Sequence, residues 1–185
     1  MKFFKTTLIF WIFVLNIRDS KSSKFKPKPL PVGPNVGYLG QVACTPNGKV
    51  QNPRGLFFLL KEGSDALGDI VDWEPVFIDI EQGQFSTWRG VPADPERYVC
   101  GGHFFVLGVD KPTAEQTASI RAIRKDLVSE RQPQRLVWEI RLPKAKLSIW
   151  DMEVTDHLHV VPCAFISTVS DSVEELEIPV VRFDA

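Results

Sequence analysis

His157 and His159 stand two residues apart in the run His157-Leu158-His159-Val160-Val161. On a strand, side chains at i and i+2 point to one face, the arrangement two imidazoles need to share a metal ion. A third ligand is not evident nearby, so the pair reads as structural or solvent-facing. Cys100 and His103 offer a thiol and a base, the components of an activated nucleophile. Nothing in the sequence orients that imidazole, and the intervening Gly101-Gly102 fits a bulge or a close approach of strands. Asp171, Glu174, Glu175 and Glu177 could gather round a cation, but carboxylates in a polar loop more commonly serve solvation. These patterns assign no catalytic residue, metal site or cofactor, and the chain is expected not to be an enzyme.

The elements that must position any functional group follow a pattern that occurs twice. Trp73, Phe85-Ser86-Thr87-Trp88 and Cys100 are matched in order by Trp138, Leu147-Ser148-Ile149-Trp150 and Cys163. The spacings are 15 and 12 residues between tryptophans, then 12 and 13 to the cysteine. A repeated supersecondary unit buries its apolar face against its own copies. A third copy lies upstream, where Gly37-Tyr38-Leu39-Gly40-Gln41-Val42-Ala43 resembles Tyr98 to Phe104. Because Trp73, Trp88, Trp138 and Trp150 recur at repeat spacing, they are expected in the core rather than on a ligand platform. Cys100 and Cys163, matched in this alignment, are expected to act as small buried hydrophobes, although three cysteines leave room for one disulfide.

Short runs such as Val76 to Ile80, Leu147 to Trp150, His157 to Val161 and Ile178 to Val181 are rich in β-branched and aromatic residues. Clusters of Gly, Pro, Asn and Asp separate them, as in strands joined by turns. The one helical candidate is Thr113 to Leu127, with a capping start and Ile120, Ile123 and Leu127 on one face. A short helical turn followed by a strand fits those residues equally well. The expected class is all-β with little helix, built as antiparallel sheets from internal repeats.

Residues 1–23 place Lys2 and Lys5 before an apolar stretch from Thr7 to Ile17, the order of a secretory signal, with an uncleaved signal anchor as the competing reading; that stretch is shorter than a spanning helix needs. Residues 24–35 form a basic, proline-rich leader, and 36–185 a single domain. The mature chain is therefore expected to be secreted. With 22 basic and 23 acidic residues overall, it lacks the concentrated basic footprint of nucleic-acid binding. The loops that differ between copies are free for recognition, and they supply the candidate ligand-binding residues Arg89, Asp94, Arg97, Asp151 and Asp156.

Phe85-Ser86-Thr87-Trp88-Arg89-Gly90-Val91-Pro92, then Tyr98-Val99-Cys100-Gly101-Gly102, Pro112 and Ile120 to Val128 together resemble the signature of the vacuolar protein sorting-associated protein 62 family. Gly90 stands where that family favours Pro, and Asp94-Pro95-Glu96-Arg97 lengthens the turn, as in a divergent member. The resemblance implies a β-prism-like arrangement, with repeats forming sheets around a pseudo-threefold axis. The resulting expectation is a non-enzymatic binding module that meets glycans or membrane-lipid headgroups, with peripheral membrane contact, through loops between sheets. The alternatives are a membrane-damaging or host-directed secreted effector, and a hydrolytic enzyme.

Overall fold

A computed structural model of the chain describes residues 36–41, 57–59, 63–80, 84–142, 145–152, 160–162, 164–170, 174 and 176–182. The expected signal segment, the leader, Cys44, Cys163, His157 and His159 lie outside the described side chains. In chain order the strands are β1 (Val36–Tyr38), β2 (Phe57–Leu59), β3 (Leu67–Gly68), β4 (Ile70–Ile78), β5 (Phe85–Pro92), β6 (Tyr98–Cys100) and β7 (His103–Leu107). A single helical turn, α1 (Ala114–Thr117), precedes β8 (Ala122–Arg124), β9 (Val128–Arg131), β10 (Arg135–Arg141), β11 (Lys146–Asp151), β12 (Val160–Pro162), β13 (Ile166–Thr168) and β14 (Ile178–Arg182). Among the described residues, neighbouring strands pair antiparallel in five small sheets, ordered β1-β2, β3-β8-β6, β9-β14-β12, β4-β5-β7 and β10-β11-β13. The protein is all-β, as its residue pattern implies.

The helical candidate resolves into three pieces. Thr113 caps α1 by accepting from the Gln116 amide at 3.3 Å, while Gln116 Oε1 accepts from the Thr113 amide at 2.8 Å. The helix stops after one turn because Ile120 bridges to Tyr38 and Ile123 is drawn between β3 and β6. A short 3-10 turn at Lys125–Leu127 then leads into β9. Tertiary pairing overrides the helical spacing of Ile120, Ile123 and Leu127.

The copies repeat every 62 residues. This shift carries β1 onto β6 and then onto β12, Phe85 onto Leu147, Ser86 onto Ser148 and Trp88 onto Trp150. The pairings correspond as well: β1 meets β2 as β6 meets β8 and β12 meets β14. The alignment through the cysteines is thus one residue out of step. Cys100, at the end of β6, corresponds to Pro162 at the end of β12, and Gly40 corresponds to Gly102 rather than Gly101. One residue from each hairpin-type sheet, Phe58, Ile123 and Val181, joins Leu39 in a common cluster, the packing expected of a prism with three related faces.

Gly40, Gly102 and Ala164 occupy corresponding positions and touch one another. A methyl group on Gly102 would lie 2.6 Å from both Ala164 Cβ and the Phe165 carbonyl oxygen, and one on Gly40 would run into Ala164 Cβ. Such distances are well inside van der Waals contact, so the site holds one methyl group among three chain segments. Backbone bonds bind these segments together: the His103 amide donates to Phe165 O at 2.8 Å, and the Phe165 amide donates to Gln41 O at 3.2 Å. The Gln41 side chain adds two bonds along β7, accepting from the Phe105 amide at 2.8 Å and donating to the Phe105 carbonyl at 3.4 Å.

Both faces of the β4-β5-β7 sheet are covered. On β7, Phe104 and Val106 enter a cluster with Tyr38, Trp73, Trp88 and Ile120, whereas Phe105 enters another with Phe77, Phe85, Leu147, Ile149 and Phe165. The alternation follows from the two-residue period of a strand. Phe85 stacks on Phe77 and Phe105, with centroids 5.5 and 5.4 Å away, and meets Trp138 edge-on at 5.9 Å. Trp73 and Trp88 are buried, while Trp138 and Trp150 are partly covered and pack against core clusters. Cys100 is buried and unpaired.

The crowding on the axis yields a direct test. Gly102→Ala is expected to lower stability by about 2 kcal/mol in urea denaturation. Adding Ala164→Gly should recover part of that loss, because it removes one of the two obstructing groups. Strict additivity of the two changes would contradict the shared contact.

Candidate functional site

The strand register defines two ends of the molecule. Ile78 pairs with Ser86 and Phe85 with Leu107, so β4 and β7 finish where β5 begins. Ile140 pairs with Leu147 and Ser148 with Thr168, so β10 and β13 finish where β11 begins. Phe85 and Leu147 share a core cluster, which points both sets of strand ends the same way. At the opposite end, the chain leaves β5 and turns through Asp94 into β6.

That turn end is charged and internally paired. Asp94 accepts the Arg97 amide on its carboxylate at 3.2 Å, and its carbonyl accepts the Tyr98 amide at 3.0 Å, which closes the turn. The Arg97 guanidinium pairs with Asp65 and lies 5.6 Å from the centroid of the Tyr98 ring. Asp65 also engages Arg124 at 2.7 Å, and Arg124 in turn holds Asp126 at 2.6 Å. Hydrogen bonding to Arg124 keeps the Asp126 carboxyl below its usual range. Arg89 belongs to β5 rather than to a loop and pairs with Glu74 on β4 at 2.6 Å.

Of the five residues proposed from sequence, Asp94 and Arg97 share this turn. Asp151 requires a correction: it is buried at the end of β11, pairs with Arg135 at 2.7 Å, and accepts the Met152 amide at 2.6 Å. Burial pushes its carboxyl upward against the pull of Arg135. Its place in the sheet end gives it a structural partner, not a solvent-facing position. Asp156 lies outside the described residues.

The Cys100 and His103 side chains turn to different partners. Cys100 Sγ donates to Gly102 O at 3.0 Å, and burial raises its thiol pKa. His103 Nδ1 accepts the Ser167 amide at 2.8 Å and lies 2.9 Å from Ser167 Oγ, whose hydroxyl donates to Thr87 Oγ1 at 2.9 Å. Ser167 is buried, and its proton goes to Thr87, so this Ser–His contact lacks the geometry of an activated nucleophile. Among the described residues, no group of three or more His, Cys, Asp or Glu is arranged to hold a metal ion.

The other end carries what charge and motif spacing do not reveal. Ile80 beyond β4 is 86% exposed, Leu107 at the end of β7 is 61% exposed, and Val169 after β13 is 54% exposed; Val109 is also open. Leu107 and Val169 stand 62 residues apart, so the repeat presents an apolar side chain at the same place twice. Gly108, at φ +106°, turns the chain between Leu107 and Val109; its amide donates to Gln84 O and its carbonyl accepts from Ser86 Oγ, both at 2.8 Å. By register the Ile80 equivalent is Arg141, which is exposed and pairs with Glu139. A sequence signal did exist: Ile80 immediately precedes the turn signal Glu81-Gln82-Gly83, and Leu107 and Val109 flank a glycine.

No family model and no curated protein matches the chain. Among solved structures, the crystal structure of GNIP1Aa from Chromobacterium piscinae is similar, with a TM-score of 0.65 and 16% sequence identity over 84% of the present chain. The match covers 32% of that protein, so the chain spans about a third of its length. At this identity the likeness speaks to the fold, an all-β architecture shared over most of the chain.

The pairings at the charged end separate structural from exposed roles. Asp151→Ala strands a half-buried Arg135 and is expected to cost about 3 kcal/mol in thermal or chemical denaturation. Arg89→Ala and Arg97→Ala break solvent-exposed pairs and should each cost less than about 1 kcal/mol.

Proposed function

We propose that this domain is a secreted, non-enzymatic binding module that attaches peripherally to lipid surfaces through its apolar end. The observation that carries the reading is the repetition of exposed apolar side chains, Leu107 and Val169, at corresponding strand ends, beside Ile80 and Val109. Side chains standing apart on separate tips suit a partner that is flat and deformable, whereas a protein ligand favours a contiguous patch. Each tip that enters the acyl boundary contributes on the order of 1–2 kcal/mol, so several together support reversible attachment.

Charge supports a weak dependence on lipid type. Arg141 and Lys146, the described cations nearest the β10–β11 tip, both pair with Glu139 at 3.0 Å. One carboxylate between two cations leaves a net charge of +1, so attraction to anionic headgroups adds only about 1 kcal/mol. Membership of the vacuolar protein sorting-associated protein 62 family, as a divergent member, is part of the same proposal. It draws support from the motif residues forming consecutive parts of one architecture, with Phe85–Pro92 as β5, Tyr98–Cys100 as β6 and Ala122–Arg124 as β8.

Co-sedimentation with phosphatidylcholine vesicles tests this reading. Binding is expected to persist in 1 M salt and to fall at least about tenfold in the Ile80→Asp/Leu107→Asp variant, with its denaturation midpoint unchanged. Undiminished binding by that variant would remove the apolar end from the proposal. Failure of the unaltered domain to sediment would remove lipid itself and redirect the search to glycans.

A further inference from the structure

We infer that His103 is an acid-sensitive latch on the axial seam, holding the middle copy against the last one while its ring is neutral and releasing it when the ring takes up a proton. The inference rests on hydrogen-bond direction. His103 Nδ1 receives the Ser167 amide at 2.8 Å, so that nitrogen carries no proton and the neutral ring bears its hydrogen on Nε2. An imidazolium has two N–H donors and no acceptor. Protonation therefore sets one N–H against another and leaves the Ser167 amide without its partner.

The latch is placed where the seam has few alternatives. The His103 amide itself donates to Phe165 O, two residues before Ser167, so the same residue ties the seam through both backbone and ring. Next to it, Gly102 and Ala164 leave no room for the segments to shift closer. Thr87 on β5 completes the network by accepting from Ser167 Oγ.

The charges facing the ring form one cross-strand row. Arg89 on β5 pairs in register with His103 on β7, and Glu74 on β4 pairs in register with Arg89. Glu74 is engaged by Arg89 at 2.6 Å, which leaves the arginine between the carboxylate and the imidazole. The remaining polar neighbours, Ser167, Thr87 and the Cys100 thiol held by Gly102, are neutral. Burial, reinforced by Arg89, lowers the His103 pKa from 6.5 to about 4. The unfolded chain therefore binds the proton more readily than the folded one. The stabilisation is fully present above pH 6.5 and is lost as the pH falls through about 4, a change of two to three orders of magnitude in the folding equilibrium.

His103→Asn supplies the test, because an asparagine oxygen can accept the Ser167 amide bond and does not titrate. Hydrogen-exchange protection of the Ser167 and Phe165 amides would be followed from pH 7.5 down through the His103 titration at about 4, relative to amides of β5. In the unaltered domain these seam amides should lose protection selectively as the pH falls, and in His103→Asn they should not. Identical pH profiles in the two proteins would overturn the inference. Should the variant fail to fold, ring 15N shifts of the unaltered domain decide: an Nε2–H ring that titrates below pH 5 together with the Ser167 amide supports the latch. Titration near 6.5, or titration that leaves Ser167 unmoved, overturns it.

Discussion

Everything in this molecule is arranged round a point where three passes of the chain share space for one methyl group. Gly40, Gly102 and Ala164 meet there, and the segments carrying them exchange the backbone bonds that join one copy to the next. A close approach of this kind has two effects. It makes short hydrogen bonds across the axis possible, and it fixes the height at which each copy sits. Leu39, immediately before Gly40, is then delivered among Phe58, Ile123 and Val181, so the axial contact also sets the packing of the three hairpin-type sheets.

Equivalent positions have nevertheless been put to different uses. Trp88 donates its indole N–H to Ser86 Oγ at 2.8 Å. In the corresponding pair Ser148 turns to Glu139, and the buried Trp150 Nε1 has no partner among the described residues. A hydroxyl and an indole two residues apart share a strand face, so the geometry of a bond was available in both copies. The proximity of Glu139 redirected it in one. Divergence of this sort, with the scaffold retained and local partners exchanged, also separates apolar Ile80 from its charged counterpart Arg141.

Much of the fold is legible from residue types alone. The strand-rich class, the buried Trp73 and Trp88, and the capping residues Thr113 and Gln116 follow from local chemistry that tertiary contacts reinforce. Register was harder, because cysteine is a conspicuous marker and Pro162 is not; aligning Cys100 with Cys163 moved the repeat by one residue, which on a strand reverses the faces. Asp151 and Arg89 looked like loop charges because their cross-strand partners, Arg135 and Glu74, lie 16 and 15 residues away. The apolar end escaped notice for a different reason: a lone isoleucine or leucine at a turn carries no pattern until the register shows which other tips stand beside it.

Gln41 ties the axial contact to the edge of a neighbouring sheet. β7 is the last strand of its sheet, and on the side away from β5 its amides and carbonyls must find partners within the crowded axial seam. The Gln41 carboxamide takes both of these groups at Phe105, mimicking with one side chain what another peptide would supply. The residue that follows the most crowded glycine thus satisfies the strand edge it lies against, so axial closure and edge pairing depend on the same short stretch of chain.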